Sequence, residues 1–70
     1  MKWKFKIGDI IRNDPEKNYG NDWLLIVGYS LDQSDGDRYE TLVLFSDMYS
    51  VDCDASILKD SAEESYILMA

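Results

Sequence analysis

The sequence predicts one small, mainly β domain: about five short strands closing into a barrel, with a helical turn before the last. Three observations carry that expectation. The chain has 70 residues, enough for a single domain at the lower limit of size. Hydrophobic residues make up 46% and aromatic residues 13%, ample for a compact core and unlike a disordered chain. Runs rich in β-branched and aromatic residues are separated by turn-forming clusters along most of the sequence.

Taken in order, Trp3-Lys4-Phe5-Lys6-Ile7 alternates apolar and polar with period two and reads as a half-buried first strand. Gly8-Asp9 interrupts it and Ile10-Ile11-Arg12 resumes the apolar run. Residues 13–22 are dense in turn formers and read as one long loop. Trp23 to Tyr29 is the most apolar stretch, expected as a central strand buried on both faces for part of its length, with Gly28 marking a bulge or bend. Asp32 to Asp37 is a polar turn whose Asp35-Gly36 pair signals a hairpin into a strand from Tyr39 to Phe45. Ser46-Asp47 turns the chain again, and Met48 to Cys53 alternates as a fourth strand.

The last third supports two readings. Ala55, Leu58, Ala62, Tyr66 and Met69 fall at helical spacing, which suits one helix from residue 55 onward. Alternatively, Asp60 and Ser61 are good N-caps with Glu63 and Glu64 three residues on, starting a short helical turn before a closing strand, Tyr66 to Met69. The second is preferred, because five strands and one turn close a barrel and leave few free edges.

Composition excludes several chemistries. The chain has no histidine, the commonest general base and metal ligand. Its one cysteine, Cys53, permits no internal disulfide and stands between Asp52 and Asp54, the reverse of the electropositive setting that activates a thiol. It is expected as a small apolar residue facing inward. The four glycines are scattered, so no phosphate-binding loop exists. An EF-hand register with Gly36 at the sixth position puts Leu31 and Gln33 at the first and third, so calcium is not expected there. The sequence therefore implies no enzyme activity, no cofactor and no metal site. No segment reaches the roughly 20 apolar residues of a membrane span, and a cytoplasmic protein is expected.

Charge is unevenly spread. Residues 1–17 carry five basic residues and three acids, net +2; residues 18–70 carry two basic residues and eleven acids, net −9. The whole chain, at −7, repels nucleic acid at long range and favours basic partners. Lys2, Lys4 and Lys6 share one face of the expected first strand. They form either a small phosphate-contacting stripe or, more commonly, a guard against edge-to-edge pairing.

Phe5-Lys6-Ile7-Gly8-Asp9-Ile10-Ile11 resembles the first strand and diverging turn of small SH3-like barrels, including the KOW type. The long loop, the Trp-led second strand, the Asp-Gly hairpin and the helical turn before a last strand keep that order. Short proteins of phages and mobile elements are similar in plan. The acidic-aromatic segment by which eukaryotic SH3 domains hold proline-rich peptides is absent, as is the basic surface of RNA-binding KOW domains. The resemblance thus implies a fold rather than a function.

Two kinds of surface remain as candidates for binding a protein partner. Tyr19, in a polar loop beside Gly20, with Trp23 following, is a contact anchor in one reading and a packed-down loop residue in the other. The acids form the second. Asp35 with Asp37, and Asp52 with Asp54, sit two apart, about 6.6–7 Å on one strand face, comparable to successive phosphates. Glu63 and Glu64 add charge. Such a face suits an acidic mimic of nucleic acid that inhibits a host nuclease or another nucleic-acid-binding protein, while solvated acids are the ordinary alternative. Direct nucleic-acid binding through the lysines ranks last, and homodimerisation is open at this size.

Overall fold

The structure is a computed structural model describing residues 2–17, 20–31, 34–47 and 50–69. Tyr19, Asp32, Gln33, Met48 and Tyr49, all used in the sequence reading, lie outside the described residues. The elements are β1 (Ile10–Asn13), β2 (Trp23–Ser30), β3 (Arg38–Phe45), β4 (Asp54–Leu58), α1 (Lys59–Ser65) and β5 (Tyr66–Leu68). They form one antiparallel sheet in the order β4-β3-β2-β1-β5. The fold is mainly β, as expected, but the sheet is open: β4 and β5 lie at opposite edges and do not pair.

The first strand begins later than the alternation at residues 3–7 suggests. Asp9 donates its N–H to the Lys6 carbonyl (2.9 Å), and its carboxylate accepts the Lys6 N–H (2.8 Å). Gly8, at φ +97°, supplies the left-handed turn this closure needs. Bonding to β2 starts only at that turn, through Gly8 N–H to the Ile26 carbonyl and Ile26 N–H to the Asp9 carbonyl. Upstream, backbone groups pair with side chains instead: Phe5 N–H donates to the Tyr39 hydroxyl and the Phe5 carbonyl accepts from Tyr29. The alternation has a cause at its start, since Phe5 is buried and Trp3 half-buried while Lys4 and Lys6 face solvent, but Ile7, expected inward, is 61% exposed. It reflects a bent segment laid on aromatic rings, without a ladder.

The long loop leaves β1 at Asp14. Asp14 accepts at its side chain from Glu16 N–H (2.9 Å) and at its carbonyl from Lys17 N–H (3.0 Å), with Pro15 preset for the turn. Buried Asn13 ties the loop's far end by accepting the Asp22 N–H at 2.6 Å.

β2 is buried on one face only. Leu24 and Ile26 point into the core, whereas Trp23 and Val27 are 41% and 47% exposed. The bulge expected at Gly28 is present as a register shift between Ile26 and Gly28 against β3. A second shift separates Trp23 and Leu24.

The fourth strand runs from Asp54 to Leu58, past the expected Met48–Cys53 segment. Asp52 adopts φ 67° and donates its N–H to the Val43 carbonyl, while the Cys53 carbonyl accepts from Val43 N–H. This kinked pairing spends Val51 to Cys53 on turning the chain, and regular register starts at Asp54↔Leu42.

The helical turn followed by a strand is observed, and the single long helix is not. α1 starts at Lys59, before the expected caps Asp60 and Ser61, and Leu58 provides no side-chain cap. The Asp37 carbonyl takes the Lys59 N–H at 2.7 Å instead, so a neighbouring turn satisfies a donor that a capping side chain would otherwise serve. Ala62 on α1 joins Phe5, Ile11, Leu24, Ile26, Tyr39 and Val43 in the core, and Cys53 packs half-buried against that cluster.

Candidate functional site

The acids do not form one face. Asp35 and Asp37 lie in the turn before β3, where Asp35 is exposed 3.8 Å from Arg38, and Asp37 is half-buried. Asp60 joins them around a surface hollow of about 410 Å³ that Lys59 also lines. Exposed Asp52 and Asp54 sit further along the hairpin, Asp54 opposite Leu42. Five residues of β3 separate that level from Asp37, roughly 16 Å. Only Asp54 of these four is in a strand, so the same-face spacing expected within each pair does not hold. Glu64 is exposed on α1.

Glu63 has a different setting, one that sequence patterning did not reveal. Its Oε2 accepts the Lys4 N–H (2.9 Å) and the Tyr39 hydroxyl, and its Oε1 accepts Lys59 Nζ (3.0 Å). The Glu63 carbonyl accepts Lys4 Nζ as well (3.1 Å). Trp3 is wedged beside this cluster, its ring 4.3 Å from Tyr29 and 5.0 Å from Tyr39, with Lys59 Nζ 5.6 Å over it. One carboxylate thereby fastens the N-terminal segment to α1 and to the sheet. Burial alone would raise the Glu63 carboxyl, but the Lys4 N–H, the Tyr39 hydroxyl and Lys59 outweigh it and hold its pKa below the usual carboxylate value. Burial and the adjacent Glu63 carboxylate push the Tyr39 hydroxyl up to about 12. The only local hint was the i,i+4 pair Lys59 and Glu63; the contacts to Lys4 and Tyr39 are long-range.

The lysine stripe is also redistributed. Lys2, Lys4 and Lys6 are exposed, but they precede the first strand and guard no sheet edge. Lys4 is occupied by Glu63 and lies 5.4 Å over the Phe5 ring.

Trp23 and Phe45 form an exposed aromatic pair on the sheet. The Trp23 ring lies 5.8 Å from that of Phe45, its cross-strand partner, and each residue is 41% exposed. Arg12 pairs with Trp23 on the other side, and Ile67 pairs with Arg12. The next row of the same face is Ile10, Leu25 and Leu42, all half-buried and in register across β1, β2 and β3. Since Leu24, Ile26, Thr41 and Val43 fill the opposite face, this sheet is apolar on both sides. Antiparallel sheets with one solvated face alternate apolar with polar, and these two rows depart from that alternation.

Compared with known proteins, the chain matches no family model, no curated protein and no solved structure. Among the described residues no group of three or more His, Cys, Asp or Glu is placed to hold a metal ion, and no helix is long and apolar enough to cross a membrane.

Proposed function

We propose that this chain is a non-enzymatic binding module that engages a protein partner through the outer face of its sheet, centred on Trp23 and Phe45. The observation that carries the reading is this aromatic pair, half-exposed and backed by a row of in-register aliphatic residues. Rigid aromatic side chains bury large area at little conformational cost, which is why they dominate binding energy at interfaces. The partner fits best with an apolar patch rimmed by basic residues, because the surrounding chain carries a net charge of −7. Tyr19, in the loop leading to Trp23, belongs to the same proposal by its place in the sequence.

The fold proposed for the module is an SH3-like barrel plan, of the kind found in short phage proteins. Its support is the strand order with β1 between β2 and β5 and the helical turn immediately before β5. The acidic-mimic reading has weaker support, since its carboxylates are split between two ends of a hairpin and Glu63 is engaged inside the fold.

Affinity capture from a bacterial lysate tests the proposal, with the parent chain compared with the Trp23→Ser, Phe45→Ser double variant. A partner retained by the parent at ~500 mM salt and lost by the double variant supports the apolar face. Equal recovery by both chains, or loss from the parent on adding salt alone, contradicts it.

A further inference from the structure

Building on the protein-binding reading above, we propose that β4 takes up an extended segment of the partner, of alternating apolar and basic residues, as an added strand. The hydrogen-bond pattern identifies the open edge. Val43 N–H bonds to the Cys53 carbonyl, so in antiparallel alternation the polar backbone groups of Cys53, Ala55 and Ile57 face β3. Those of Asp54 and Ser56 face away from it, and Arg38 Nη1 reaches the Ser56 carbonyl from the side at 3.4 Å. No strand among the described residues pairs with that edge.

Natural edges are blunted by lysine, proline, shortness or a bulge within the strand. β5, at the other edge, has three residues. β4 has five, Asp54-Ala55-Ser56-Ile57-Leu58, with no lysine, no proline and a single charge at its first position. It is the less protected edge.

Beside it lies a cleft of about 330 Å³, lined by Asp22, Cys53, Asp54, Ala55, Ile57 and Tyr66 among others. Residues of β4 and β5 meet in this one cleft although the two strands end opposite sides of the sheet. The sheet therefore curls enough to bring Tyr66 of β5 to the cleft beside β4. Small Ala55 and Cys53 leave room there for apolar side chains from an added strand. Asp54 and Ser56, which also border the cleft, alternate with these along β4 and are exposed, with Glu40 accepting the Ser56 hydroxyl at 2.9 Å. An incoming strand thus meets apolar surface on its inward residues and carboxylates on its outward ones, a period-two recognition pattern. A second copy of this chain could pair β4 with β4, but it would bring together two bodies each of charge −7.

Cys53 is the only cysteine and lines the cleft, so its alkylation by N-ethylmaleimide reports occupancy. The probe is a synthetic peptide alternating Lys and Val. Expected is a saturable slowing of alkylation, about tenfold at ten times the peptide's Kd. Replacing Lys by Glu in the peptide, or N-methylating its pairing backbone amides, should abolish the effect. Ser56→Pro removes an outward N–H without breaking the β3 ladder and should abolish it too. No slowing at millimolar peptide, or equal slowing by the N-methylated peptide, overturns strand addition. So does slow alkylation that depends on protein concentration without peptide, which identifies a second copy as the occupant. A lysate partner lost on Trp23→Ser but retained by Ser56→Pro leaves the binding reading standing and overturns this one.

Discussion

Replacing Tyr39 by Phe removes one oxygen from the centre of the molecule and should cost the domain a large part of its stability. That hydroxyl donates to the Glu63 carboxylate and accepts from the buried Phe5 N–H (3.1 Å). A hydrogen bond to a charged group contributes about 1.5–3 kcal/mol, and a buried donor left unpaired costs about 1–3 kcal/mol. The two losses overlap because Phe5 can shift, so about 2–3 kcal/mol is expected in all. For a chain this short, each kcal/mol moves Tm by roughly 4–8 °C, giving a fall on the order of 10–20 °C. Thermal unfolding followed by circular dichroism measures it directly. The pH profile gives an independent check. Folding raises the Tyr39 pKa from 10.0 to about 12, so the folded state holds that proton more tightly. Its stabilisation is complete below pH ~10 and is lost as pH rises towards ~12. The Phe variant should lack this alkaline decline. A variant that melts within ~2 °C of the parent, with the same alkaline profile, refutes the role assigned to the hydroxyl.

At the acid end, folding lowers the Glu63 pKa, so its contribution is present above the ordinary carboxylate range and fades as pH falls through the folded value. Glu63→Gln should flatten the loss of stability below pH ~4.5, as read from urea midpoints across pH. Phe5→Ala, which empties a site only 1% exposed, should cost about 3–5 kcal/mol by urea denaturation and loosen the segment before β1. Changing Asp35, Asp37, Asp52 and Asp54 together to Asn brings the net charge from −7 to −3. Because the Asp35–Arg38 pair is long and solvent-exposed and Asn tolerates the left-handed Asp52 position, Tm should stay level or rise slightly at low salt.

The sequence made the β class, the bulge at Gly28, the hairpin into β3 and the helical turn before the last strand legible, because each rests on local chemistry. What it misplaced depends on distant partners. The alternation at residues 3–7 looks like a strand until Tyr29, Tyr39 and Glu63 are seen to take its backbone groups. The fourth strand shifts towards the C-terminus because Asp52 and Cys53 bond to Val43 as a kink. α1 starts early because a carbonyl from another turn caps it. At the candidate site, the sequence singled out Trp23 only as the residue following the Tyr19 loop, and its 41% exposure was not legible. Nor was its pairing with Phe45, because that depends on a register shift between Trp23 and Leu24. Nor was the outer row of Ile10, Leu25 and Leu42, since an apolar run alone does not say which residues turn outward.

The most direct test of the binding account is amide hydrogen exchange of the chain alone and with its captured partner. Slowed exchange over residues 23–27 and 42–45, with the turns at 34–37 and 50–52 unchanged, is the predicted result. Protection confined to those acidic turns, leaving the Trp23–Phe45 rows as in the free chain, would contradict it and return the function to the carboxylates.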